Sequence, residues 1–324
     1  MFFNFLKYIF IMNNCLVLVF HREENTSIFE DILIGLQRRY TLVSIQELEK
    51  IILEKKIVKN ICHITFDDGE ESFYSVVFPL LKKYSVPATL FVSPLIATSK
   101  SNFWFQEIEE FDSIRFKAFI VSKMNLPAIE LNNITNPSIL KCLTINKIKE
   151  LIESYKLFEN LKSPPSKNMT LDQIIEVEKS NLVTIGAHTQ NHPILLNETD
   201  EISHFEITRS IKELEKGLGH PVKYFAYPNG EEGLDFRSRE VEYLKTLNIS
   251  LAFSTEYNKL SYTMNPLKIP RMSFPQFAGL RPSHPLLLLR LYIGKRLNKF
   301  TPKKRTQPIM RKECLIILNE HNIL

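Results

Sequence analysis

The sequence predicts an α/β protein built on a parallel sheet that helices close or cover. Two observations carry this. Short apolar, β-rich runs alternate with segments whose apolar residues recur at helical spacing, from Cys15 to Ile269. Two of the runs also lead directly into clusters of carboxylates or imidazoles, and strand ends are where sheet-based enzymes place reactive groups.

The first run, Cys15 to Phe20, ends in the polar turn His21-Arg22-Glu23-Glu24-Asn25 and reads as a buried strand. The segment from Met1 to Phe20 is apolar and aromatic, but Asn4, Asn13 and Asn14 interrupt it and no small-residue cleavage site follows. A strand is therefore expected rather than a signal peptide or anchor, with Met12 as a further candidate start. Ser27 to Gln37 and Ser44 to Lys55 have helical spacing, and Asn60 to Phe66 is a β-rich run ending in two aspartates. Ser72 to Tyr84 follows as a helix and Ala88 to Val92 as a strand. Leu182 to Ile185, Tyr224 to Ala226, Leu251 to Ser254 and Leu267 to Ile269 are further strands, with helices over Ile202 to Leu218 and Val241 to Leu247.

Between Ser101 and Asn181 the pattern turns polar and helix-like around the loop Ser163-Pro164-Pro165-Ser166, which predicts an inserted helical lobe. Beyond Gly279 the chain is rich in Pro, Leu and Lys, and Pro302-Lys303-Lys304-Arg305 reads as a flexible link.

At 324 residues with 44% hydrophobic content the chain can bury a sizeable core. The formal net charge of +5 is modest, with basic residues gathered from Arg290 to Arg311, so a nucleic-acid partner is not expected. Cys15, Cys62, Cys142 and Cys314 lie far apart and match no zinc spacing, which favours a reducing cytoplasm. The apolar-then-basic stretch from Leu286 to Lys304 is either a peripheral contact with an anionic membrane, at its inner face, or a capping helix with a solvated tail. Export with an atypical N-terminal segment is the alternative localisation, and the oligomeric state is not assigned.

The chemistry gathers in two clusters. Thr65-Phe66-Asp67-Asp68-Gly69 puts adjacent carboxylates at a strand end, an arrangement retained when a cation neutralises one and the other serves as a base; an Asp-Asp-Gly turn is the plain alternative. His188-Thr189-Gln190-Asn191-His192 follows the strand Leu182 to Ile185 and offers two imidazoles four residues apart, a spacing that can face one metal. Together they supply Asp, His and His, a three-ligand site with positions open for water and substrate. His63, inside a strand, reads as structural.

TFDDG followed by His-Thr-x-x-His resembles the first two motifs of the polysaccharide deacetylase family of carbohydrate esterases. Phe225-Ala226-Tyr227-Pro228-Asn229-Gly230 resembles the third, with Ala226 where the family usually has Arg and Asn229 where it has an aromatic residue, a style shared by relatives in surface-polysaccharide pathways. The fourth motif, Asp-x-x-Asp-Trp, and the fifth, Leu-x-His, are not found, and Leu267-Lys268-Ile269-Pro270-Arg271 occupies the corresponding stretch.

The resemblance implies a distorted (β/α) barrel of about seven parallel strands with a helical insertion. It divides the chain into a barrel over 14–100 and 181–280, the insertion over 101–180 and a basic extension over 281–324. It further implies that Asp68, His188 and His192 hold Zn²⁺ or another divalent transition metal, that Asp67 is the general base, and that Tyr227, Pro228 and Asn229 lie at the substrate and its oxyanion. Arg271 is expected to stand in for the missing arginine by pairing with Asp67; a plain surface arginine is the alternative. His21, at the end of the first strand, is the candidate proton donor, against a histidine that only bonds backbone. The implied reaction is removal of N-acetyl groups from the amino sugars of a bacterial surface polysaccharide or its precursor, with an N-acetylated glycan as substrate. The alternatives are a catalytically weak glycan-binding relative and a hydrolase of another non-peptide C–N bond. Phe103-Trp104-Phe105 opens the lobe and is expected to pack it onto the barrel rather than stack on sugar rings.

Overall fold

The computed structural model describes residues 15–256, 258–261, 263–274, 307–321 and 323. The N-terminal fourteen residues, the stretch from Leu286 to Lys304 and the link at Pro302 to Arg305 lie outside them.

Strand alternation builds the framework. β1 (Leu16–Phe20) is buried along its whole length, as expected of a strand covered on both faces. β2 (Thr41–Leu42) is a short flank to β3 (Ile61–Phe66), and β4 (Ala88–Val92), β5 (Val183–Ala187), β6 (Tyr224–Ala226) and β7 (Leu251–Ser254) follow. β8 (Ile269–Pro270) pairs with β7, and β9 (Met272–Ser273) pairs with β1. All pairings are parallel, in the order β8-β7-β6-β5-β4-β3-β1-β9, so the chain forms a nearly closed barrel of eight strands. Of the last predicted strand, Leu267 to Ile269, only Ile269 is in a strand, β8, and β9 lies beyond the predicted bounds. Pairing changes partner at Arg271, whose amide bonds the Ser254 carbonyl on the β7 side, and the strand then crosses to β1.

The period of two sorts each strand between two environments. On β1, β3 and β4, Leu16, Leu18, Phe20, Cys62, Ile64, Phe66, Ala88, Leu90 and Val92 join the main cluster beneath the helices. Val17, Phe91, Ala226, Phe253 and Ile269 fill a second cluster with Ile45, Leu48 and Ile52, from α2 (Ile45–Leu53). The alternate positions of β3 carry His63 and Thr65, and the next in step is Asp67. His63 is fully buried between the Val43 carbonyl (2.8 Å) and the Thr89 hydroxyl (2.9 Å), and Thr65 donates to the Leu18 carbonyl.

Local signals fix the helices. Asn25 caps α1 (Thr26–Gln37), and Ser44 and Glu47 form a reciprocal capping box on α2. The predicted helix from Ser72 begins as a π-helical stretch, Phe73–Val77, before continuing as α3 (Phe78–Tyr84).

The segment after β4 is helical, as expected. It carries Trp104–Ile108, Ser113–Met124, Asn136–Leu140 and Ile145–Glu159, with a core of its own around Phe116, Ile139, Ile148 and Tyr155. The expected boundaries shift at both ends. Leu171–Lys179 buries Ile174 and Val177 in the barrel's main cluster, because its apolar face matches the sheet rather than the lobe. The C-terminal helix Gln307–Glu320 inserts Cys314 and Leu318 into the lobe core, so this part of the extension is a packed element of the lobe.

Candidate active site

The C-terminal ends of β3, β5 and β6 and the β8–β9 junction meet at one rim of the barrel. Asp67 and Asp68 follow β3. Asp67 is 4% exposed and receives two hydrogen bonds from Arg271, Nη1 to Oδ1 at 2.6 Å and Nη2 to Oδ2 at 2.8 Å. Arg271 is itself 1% exposed, donates to the Thr65 hydroxyl and the Ser254 carbonyl, and lies 5.5 Å from the Phe91 ring. Burial raises the Asp67 carboxyl, but the charges of Arg271 and then His188 outweigh it and hold the group at about 2. Removing both ions from water costs several kcal/mol each, so this bidentate pair is weak evidence of stabilisation and better evidence of a fixed, ionised carboxylate.

Asp68, His188 and His192 form the second half of the site. The Asp68 Oδ1 lies 3.7 Å from His188 Nε2 and 3.6 Å from His192 Nε2, and the three ligand atoms lie within 4.8 Å of one another. These spacings are long for hydrogen bonds, and Asp68 Oδ1 is buried with no partner among the described residues. They do suit one cation: ligands about 2.1 Å from a tetrahedral ion stand about 3.4 Å apart. The tautomer of His188 is set from behind, since its Nδ1–H donates to the Ala226 carbonyl at 2.7 Å and leaves the Nε2 lone pair facing Asp68. Burial holds His188 neutral, down to about 4, and burial with the neighbouring His188 pushes His192 well below its ordinary range. Burial and the Asp67 charge push the Asp68 carboxyl well up. Two neutral imidazoles and an uncompensated buried carboxylate fit a divalent transition metal by donor type, count and spacing.

The backbone is strained where these groups are aimed. Asp68 (φ 71°), Thr189 (φ 63°), His192 (φ 54°) and Asn229 (φ 58°) all have positive φ, which costs a β-branched residue such as Thr189 roughly 1–2 kcal/mol and Asp or Asn less. Gly69 continues the turn at φ 72°, and a Cβ there would stand 2.9 Å from Val92 Cγ1. The turn is braced by the lobe. Glu71 N–H donates to the Lys167 carbonyl and Met169 N–H to the Gly69 carbonyl, while the Gln106 amide bonds both Glu70 and Asn168. This brace was not read from the sequence, although Glu70 adjoins the aspartate pair, because its partners lie 36 and 62 residues from Gln106.

The two halves open into a cavity of about 750 Å³ that the barrel rim, the lobe and the first turn of the C-terminal helix enclose. Its lining includes Asp67, Asp68, His188, His192, His21 and Asn229. The His21 Nε2 stands 3.9 Å from Asp67 Oδ2, with the side chain 53% exposed. Phe103 and Trp104 are buried as expected and Trp104 Nε1 donates to the His192 carbonyl, while Trp104 and Phe105 also line the cavity, where the Phe105 ring meets His192 edge-on at 5.1 Å. Lys141, from the lobe, also lines the cavity and carried no sequence signal.

Two expectations are corrected. Tyr227 does not face the substrate: it is fully buried, stacks on Phe236 at 3.8 Å and donates its hydroxyl to the Leu267 carbonyl. Strand alternation explains this, since Tyr227 follows β6 on the side facing the helices. Pro228 is also buried and off the cavity lining, and its carbonyl accepts the Gly230 amide at 2.7 Å in the turn that presents Asn229.

A parallel barrel with ionised and ligand-ready groups at the C-terminal ends of its strands is the architecture of a barrel hydrolase. The chain belongs to the polysaccharide deacetylase family, whose sequence profile matches residues 54–118 and 131–250. It is thus an enzyme of the class that removes N-acetyl groups from sugars, cleaving carbon–nitrogen bonds other than peptide bonds.

Solved structures share the fold. The Streptococcus pyogenes deacetylase PplD, solved with acetate, superposes with a TM-score of 0.56 at 19% identity, over 86% of this chain and 97% of that one. IcaB from Ammonifex degensii gives 0.57 at 19% identity, over 86% and 97%. The BpsB deacetylase domain from Bordetella bronchiseptica gives 0.52 at 16% identity, over 80% and 95%. No curated protein matches the chain in sequence.

Proposed function

We propose that this enzyme is a divalent-metal-dependent deacetylase acting on N-acetylated amino sugars of a surface polysaccharide or its precursor. The observation that carries the reading is the buried set Asp68, His188 and His192 beside an ionised, arginine-clamped Asp67 in one cavity. Asp68, His188 and His192 would hold Zn²⁺ or a related cation, which when bound polarises the acetamide carbonyl and acidifies water. Asp67 accepts the proton of the attacking water, and Arg271 fixes the carboxylate's orientation so that Oδ2 faces the cavity side, towards His188 and His21.

Asn229 lines the cavity with a buried Nδ2 that has no partner among the described residues, a donor suited to the oxyanion that forms on the acetyl oxygen. His21, 3.9 Å from Asp67 Oδ2, passes the proton that Asp67 takes from water on to the departing amine, and acetate and a free amino sugar are the products. The apolar-then-basic stretch from Leu286 to Lys304 supports work beside an anionic membrane surface, where lipid-linked glycans are held.

The test is acetate release from N-acetylglucosamine oligomers and from lipid-linked glycan extract, with Zn²⁺ or Co²⁺ added, comparing the wild type with Asp67→Asn and His188→Ala. Metal-dependent release that both substitutions abolish is the expected result. Metal binding without acetate from any N-acetylated glycan overturns the reading.

A further inference from the structure

A small recess of about 130 Å³ opens off the main cavity where barrel, lobe and C-terminal helix meet. Asn229, Thr255 and Lys141 line both spaces, and Arg311, Asp235 and Leu234 line the recess alone. Its volume is below that of a pocket for a whole small ligand, so it suits a substituent rather than a sugar ring.

The recess is rich in donors whose acceptors are missing. Lys141 Nζ donates to Gln307 Oε1 at 2.7 Å, and no carboxylate pairs with it among the described residues, so most of a lysine's donor capacity is unused. Arg311 Nε is buried with no partner among the described residues, and Arg311 is 2% exposed. The carboxylates nearby are already engaged. Asp235 Oδ1 pairs with Arg311 Nη1, its Oδ2 accepts the Glu231 amide at 2.8 Å, and the Glu231 carboxylate stands 3.4 Å from Lys312 Nζ.

Burial pushes the Lys141 ammonium down to about 8, against the pull of Asp235 and with the push of Arg311, so at neutral pH the group is still mostly charged. A part-buried cation with no carboxylate in direct contact is unfavourable, and an incoming anion relieves it.

We propose that this recess binds a compact anionic substituent, a carboxylate or a phosphate ester, on the glycan whose N-acetyl group lies at Asp68, with Lys141 as its principal contact. The inference rests on the deacetylase reading for the position of the glycan and adds to it the chemical class of the substrate: an acidic rather than a neutral polysaccharide. Lys141 comes from the lobe and Arg311 from the C-terminal helix, so this preference is built from the parts of the chain that lie outside the barrel.

The experiment is calorimetric binding of three matched ligands to the full-length protein at low salt: N-acetylated chitotriose, the same trisaccharide oxidised to a carboxylate at a primary hydroxyl, and the same trisaccharide carrying a phosphate ester there. The expected result is that at least one anionic ligand binds at least about tenfold tighter than the neutral one, and which of the two does so identifies the source of the charge. Lys141→Gln is expected to bring that ratio to near one, and Lys141→Arg to keep most of it. Because the readout is a ratio to the neutral ligand in the same protein, a variant that merely folds less well leaves it unchanged.

A ratio near one in the wild type, or a ratio that survives Lys141→Gln, overturns the proposal. If the ratio behaves as expected but no acetate is released from any glycan, the deacetylase reading fails and the anion pocket stands. Acetate release with a ratio near one does the reverse.

Discussion

Arg271 reaches across 204 residues of sequence to clamp both carboxylate oxygens of Asp67. It does so from the point where the last strand leaves β7 and joins β1, so the residue that closes the barrel also holds the candidate base.

Arg271→Met leaves Asp67 buried beside an apolar side chain. Unfolding by urea is expected to show a loss of about 3–5 kcal/mol, as when one partner of a buried ion pair is removed. Adding Asp67→Asn to that variant is expected to restore part of the stability, since no unpaired charge then remains. If the double variant is less stable than the single one by the full cost of Asp67→Asn alone, the two residues are not coupled.

Metal binding is expected at one site per chain. In a chelator-stripped protein, Zn²⁺ should bind with unit stoichiometry by calorimetry and raise the melting temperature as its concentration rises. His192→Ala should weaken that affinity by at least about a hundredfold. Unaltered affinity in this variant would place the cation elsewhere.

Tyr227→Phe separates a core role from a substrate role. Loss of the bond to the Leu267 carbonyl is expected to cost about 1 kcal/mol of stability while kcat/KM for deacetylation holds. A drop in kcat without a change in stability would return Tyr227 to the substrate.

Acid lability is expected to have a component from His63. Burial holds this imidazole at about 4, below its ordinary 6.5, so the unfolded chain binds the proton more readily than the folded one. The contribution to stability is complete above pH 6.5 and is lost as pH falls from there through 4, about 3 kcal/mol in all. The stability difference between the wild type and His63→Gln should therefore shift by that order between pH 7 and pH 4. A difference that stays flat with pH would mean that His63 does not titrate on unfolding.

Gln106→Leu removes the amide that joins Glu70 to Asn168. A stability loss of about 1–3 kcal/mol is expected from the stranded buried acceptors, with Zn²⁺ affinity reduced roughly tenfold as the Asp68 turn loosens. Lost stability with unchanged affinity would confine the brace to folding.

The barrel was legible because each of its strands is a local pattern. Ala88–Val92, Tyr224–Ala226 and Leu251–Ser254 lie where β-rich apolar runs end at polar turns, and Asp67, Asp68, His188 and His192 were visible as pairs at the ends of Ile61–Phe66 and Val183–Ala187. Tyr227 turns to the helices because strand alternation places it on the side of Phe225, whereas its motif marks only nearness to the site in sequence. His63, placed correctly inside a strand, shows the same alternation read with success.

The sequence by itself determined the order of the main strands, the carboxylate and imidazole sets and their positions at strand ends, since these depend on interactions a few residues apart. Only the tertiary structure decided that Arg271 closes the barrel onto Asp67, that Gln106 and Asn168 brace the metal turn, and that Lys141 and Arg311 line one recess beside the cavity. These depend on contacts between segments tens to hundreds of residues apart, made favourable by burying one amphipathic face against another, and no local periodicity encodes which faces will meet.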